Sequence, residues 1–78
     1  MISKHIGKII LAHRKKSNLT QKQLADLAGV GKTVVFDLEK GKATVQLNSL
    51  LKILSALNIK LELTSPLMHL MEEFDEES

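Results

Sequence analysis

Between Thr20 and Lys42 the apolar residues fall at helical spacing on either side of a glycine. Leu24, Leu27 and Ala28 recur at i, i+3 and i+4, which predicts a helix from about Gln21 to Ala28 with one apolar face; Gln21, Lys22 and Gln23 point outward. Thr20 is an N-cap residue type with Gln23 three positions on, the pattern of a capping box. Gly29 supplies the positive φ that a helix end commonly needs, and Val30 anchors the turn. A second helix begins near Lys32. In it Val35 and Leu38 share an inward face, and Lys32, Thr33, Phe36 and Asp37 point elsewhere.

The flanking segments extend the pattern. A helix is predicted from about Ser3 to Ser17, with Ile6, Ile9, Ile10 and His13 on the core side and Arg14, Lys15 and Lys16 in the last turn, where cations complement the helix dipole. Gly41 stops the second short helix. Thr44 to Leu47 then lead into another that ends near Leu57, whose leucines and Ile53 make more apolar surface than one stripe needs and so suggest a dimer seam. Asn58 can take the left-handed conformation that closes a helix, and Ile59-Lys60-Leu61-Glu62-Leu63 alternates with the period of a strand. A lone strand is unstable, so a strand over 59–64 calls for the same strand of a second subunit, with Ile59, Leu61 and Leu63 as dimerisation residues. In the acidic tail, 65–78, Pro66 opens a short amphipathic stripe, Leu67, Leu70, Met71 and Phe74. About ten residues make too short a helix to persist alone. Two readings stay open: packing on its own dimer, or entry into a groove on a partner protein.

Two short helices joined by a tight turn are the layout of a helix-turn-helix DNA reader, although any αα-hairpin shares that spacing. On the first reading Lys32, Thr33, Phe36 and Asp37 near the start of the second helix face base edges, with Gln21 and Lys22 toward phosphate. Lys32 suits guanine O6 and N7, Thr33 a thymine methyl or acceptor, and Phe36 either thymine methyls or packing. Charge strengthens this reading. The net charge is only +2, but residues 1–60 hold all 11 Lys and Arg against Asp26, Asp37 and Glu39, a balance of +8, while residues 61–78 carry six acids and no base. A strongly basic body gains affinity for a phosphate lattice by releasing counterions.

The residues Thr20-Gln21-x-x-Leu24-Ala25, Gly29-Val30 and Val35-x-x-Leu38-Glu39-Lys40-Gly41 resemble the helix-turn-helix domain of the Cro and lambda-type (Xre) repressor family, a likeness covering about residues 5 to 58. It departs from the family at Gly31, where a serine or threonine cap is common, and at Phe36, where a small polar residue is usual. The resemblance implies an all-α, lambda-repressor-like domain over 1–58, a palindromic double-stranded DNA operator, and an ion pair between Arg14 and Glu39. With the leucine-rich SLLKILSALNI and the strand KLEL, the chain is similar to HipB-like antitoxins. That likeness implies a homodimeric repressor of its own operon that also binds a HipA-like serine/threonine kinase toxin. A stand-alone Cro-like repressor is the alternative.

Other function classes have little support. There is no cysteine, hence no disulfide framework or thiolate metal site. No signal peptide or run of about 18 apolar residues is seen, which points to a cytoplasmic protein without membrane association. His5, His13 and His69 are scattered, and Gly31-Lys32-Thr33 lacks the earlier glycine of a phosphate loop, position 26 being Asp26. No enzyme activity, cofactor or metal is expected.

Overall fold

The computed structural model describes residues 2–62, with side chains from residue 4. The order is α1 (Ile2–Lys16), α2 (Gln21–Ala28), α3 (Lys32–Glu39) and α4 (Leu47–Ala56). The helices α2 and α3 pack on one another, with α1 against α3 and α4 against α2. Their common core is Ile10, Leu24, Ala25, Val35, Leu38, Ile53 and Leu54, to which every helix contributes.

All four helices end by one device. A left-handed residue, Asn18, Gly29, Gly41 or Asn58, reverses the chain. The next residue's N–H then bonds back five positions: Leu19 to Arg14, Val30 to Ala25, Lys42 to Asp37 and Ile59 to Leu54. This is the 6→1 bond of the Schellman motif, which satisfies carbonyls that a helix end would otherwise leave open. Three of the residues so placed, Leu19, Val30 and Ile59, pack against the core, and each therefore fixes the exit direction of its helix. At the other end of α2, Thr20 Oγ1 accepts from the Gln23 N–H (3.0 Å) and Gln23 Oε1 accepts from the Thr20 N–H (2.8 Å).

Gly7 decides how α1 sits. A Cβ there would fall on the Leu38 carbonyl oxygen and lie 3.1 Å from that of Glu39, so only glycine lets α1 approach the end of α3 this closely. The inward stripe of α1 is accordingly Ile6, Gly7, Ile10 and Arg14. Ile9 and His13, assigned to the core side by periodicity, lie off that stripe and are exposed; His13 Nδ1 bonds the Ile9 carbonyl, 2.8 Å away, on the surface. Leu27 also departs from its expected place. The buried stripe of α2 is Leu24 and Ala25 with Ala28 half-buried, and Leu27 is 63% exposed beside a shallow groove against Leu51 and Ser55 of α4.

The surplus leucines of α4 divide similarly, with Leu54 buried and Leu47 and Leu51 exposed. Among the described residues there is no strand: 59–62 run irregularly, because within one chain the segment has no neighbouring strand to pair with. Ile59 tucks onto the core while Leu61 is exposed. Leu63, and Leu67, Leu70, Met71 and Phe74 of the tail, lie outside the described residues. No helix among those described is long and apolar enough to cross a membrane.

Candidate nucleic-acid interface

The capping box fixes where α2 starts, and so places Gln21 at its first turn, facing the end of α3. There its Nε2 donates to Glu39 Oε1 at 3.0 Å. The same carboxylate takes a two-pronged contact from Arg14, Nε to Oε2 at 2.6 Å and Nη2 to Oε1 at 3.1 Å. Arg14 Nη1 also donates to the Leu19 carbonyl at 2.8 Å, which closes the turn after α1. The side chains of Arg14 and Glu39 are 11% and 6% exposed, so three helices are clamped at one point by a nearly dry, charge-assisted network. Gln21, expected to meet phosphate, spends one of its two N–H donors inside this clamp.

Next to the clamp, Gln21, Lys32, Thr33 and Phe36 line one shallow cleft. The three α3 residues fall at i, i+1 and i+4, and all are exposed because Val35 and Leu38 hold the opposite side of the helix in the core. Among the described residues no carboxylate pairs with Lys32, so its charge faces the cleft side uncompensated. Gly31 is the N-cap of α3 and brings no side-chain hydrogen bond to it.

Two expected contacts sit apart from this cleft. Asp37 turns toward the loop after α3, where Lys42 Nζ is 3.4 Å from its Oδ1, and it borders Val34, Thr44, Val45 and Gln46. Asp37 stands at i+4 from Thr33, only about 40° further round the helix, so it is the Lys42 ammonium and the loop after α3, not the helical spacing, that engage its carboxylate. Lys22 makes an i,i+4 pair with Asp26 at 3.1 Å, both side chains being largely exposed. Lys40 was absent from the candidates drawn from sequence, yet its Nζ lies 4.6 Å from the centroid of the Phe36 ring. The i,i+4 spacing of an aromatic and a lysine was the available signal.

Among the described residues there is no group of three or more His, Asp or Glu side chains able to hold a metal ion. Residues 10–63 match the family model described as Helix-turn-helix. A protein of Sinorhizobium fredii described as an uncharacterised HTH-type transcriptional regulator, y4mF, is 39% identical over 61 residues, which span 78% of this chain and 80% of that protein.

Proposed function

The chain belongs to the helix-turn-helix family of DNA-binding transcriptional regulators, and from that premise we propose that it acts as a homodimeric, sequence-specific repressor. The observation that carries this reading is the exposed cleft where Gln21 of α2 meets Lys32, Thr33 and Phe36 at the start of α3. A recognition helix presents its N-terminal residues to base edges while the preceding helix meets the backbone, and these four side chains offer donors and an apolar surface in that arrangement. Lys32 is suited to guanine O6 and N7, and Thr33 to a thymine. The second N–H of Gln21 remains available to a phosphate oxygen. Asp37 is given no base contact, since Lys42 and the following loop engage it.

The homodimer is supported by the sequence after α4. Ile59, Leu61 and Leu63 alternate in the segment after α4, and pairing with a second copy would turn that segment into a two-stranded ribbon. Two recognition helices would then meet a palindrome whose half-site centres are about 34 to 36 Å apart. Selection of duplexes from a randomised library followed by footprinting tests this. Protection of two such half-sites is the expected result, and protection of one unpaired half-site by a monomer overturns it.

The finer role is that of an autoregulating antitoxin of a HipBA-like pair. Support comes from the likeness of the α4 and KLEL segments to HipB-like proteins and from the tail, whose stripe Leu67, Leu70, Met71 and Phe74 is followed by acids that disfavour contact with DNA. Removing residues 66–78 then leaves operator binding intact or slightly stronger and abolishes capture of a HipA-like kinase. A tail-deleted chain that loses dimerisation and DNA binding together would place the tail in the domain's own core. Intact protein that never binds such a kinase favours the stand-alone repressor.

A further inference from the structure

Phe36 is an expensive residue to leave on a surface, and it is 42% exposed in the cleft it shares with Lys32 and Thr33. Its only special partner among the described residues is Lys40, one turn further on, whose ammonium sits 4.6 Å from the ring centroid. A cation over an aromatic face restrains the ring without covering the rest of it. The exposed remainder borders the polar side chains at the start of α3. An apolar ring cannot exchange hydrogen bonds with base edges. In the major groove the apolar feature it can recognise is the methyl group on C5 of a pyrimidine, which thymine carries and cytosine lacks.

We infer that Phe36 reads a pyrimidine 5-methyl group, with Lys40 as the positioning residue that holds the ring for that contact. This rests on the cleft being the DNA-reading surface. It adds a specificity determinant of defined chemistry, supplied by thymine or by 5-methylcytosine. It also accounts for a large aromatic at a position where the cleft's other residues are polar.

The test uses full-length protein and a duplex recovered from a randomised library. Each thymine is replaced in turn by uracil, which removes the methyl and leaves every hydrogen-bonding group in place. One position in each half-site should lose about fourfold in affinity, the effect of returning one methyl group to water. Phe36→Ala should bind more weakly and show no difference between thymine and uracil there, whereas Phe36→Leu should keep part of the discrimination. At the same position 5-methylcytosine against cytosine separates the two methyl sources: a preference for the methylated base exceeding that for thymine assigns the contact to 5-methylcytosine. Absence of any uracil-sensitive position, or sensitivity that persists in Phe36→Ala, overturns the inference while leaving DNA binding standing. Failure to enrich any duplex overturns both.

Lys40→Gln distinguishes positioning from phosphate contact. Weakened methyl discrimination with unchanged far-ultraviolet circular dichroism is expected. An equal loss on every sequence, with a shallower salt dependence and intact discrimination, would make Lys40 a phosphate ligand and overturn its positioning role.

Discussion

Replacing Arg14 with alanine should be among the most damaging single changes available outside the apolar core. The guanidinium makes three hydrogen bonds, two to Glu39 and one to the Leu19 carbonyl. Without it the Glu39 carboxylate, 6% exposed, keeps only the Gln21 amide. Stranding one member of a buried pair costs about 3 to 5 kcal/mol, far above the roughly 0 to 1 kcal/mol of a surface pair. A domain of this size has about 4 to 12 kcal/mol of stability in total, so the substitution should remove between about a quarter and all of it. Replacing both partners with apolar residues, Arg14→Met with Glu39→Leu, removes the uncompensated charge and should recover at least half of the loss. Urea unfolding followed by far-ultraviolet circular dichroism is the appropriate assay, since the chain has no tryptophan or tyrosine to report by fluorescence. A loss below about 1 kcal/mol for Arg14→Ala, or a double variant no more stable than the single one, would refute the claim that this pair behaves as buried.

Gly7→Ala inverts the usual helix rule: alanine normally gains up to about 1 kcal/mol over glycine inside a helix, but here its Cβ meets the Leu38 carbonyl, so thermal unfolding should show a loss of about 1 to 3 kcal/mol. Lys32→Ala should weaken specific binding by about 1 to 3 kcal/mol and relax preference at one base position, as read by competition titration; an equal loss on all sequences would identify a phosphate contact instead. Leu61→Asp, at an exposed position, should dissociate the proposed dimer without unfolding the monomer; a variant that still sediments as a dimer would move the interface to Leu50, Leu51 and Leu54.

The helices were legible in the sequence because local signals agreed. Thr20 with Gln23 marks the start of α2, and Gly29, Gly41 and Asn58 mark three ends, where only residues tolerant of positive φ are comfortable. Asn18 performs the same function after α1, where no glycine marks the end and the basic run before it is the stronger C-terminal signal. Which residues of an amphipathic helix face inward was less legible. Periodicity fixes a stripe to within about one residue, and the choice between Ile9 and Gly7 as the inward position of α1 depended on a backbone approach to α3 that no pattern of apolar residues records. The cleft showed the same division: Lys32, Thr33 and Phe36 share a face by spacing alone, but the loop that draws Asp37 away and the carboxylate that engages Gln21 belong to residues distant in sequence.

The proposed reading surface is held from behind. Val35 and Leu38 anchor α3 in the core, and Glu39 ties its last turn to α1 and α2, so the orientation of the helix is set by residues that do not line the cleft. Lys32 and Thr33 are exposed, and substitutions at such positions usually change stability by less than about 0.5 kcal/mol, so affinity changes there report contact with DNA rather than damage to the fold. Phe36 is more than half covered and carries the Lys40 ammonium over its ring, so the stability of its variants is to be measured alongside their affinity. Gln21 is a further exception, because it belongs to both the cleft and the clamp. Its substitution should alter affinity and stability together, and a double-mutant cycle with Glu39 is needed to separate the two.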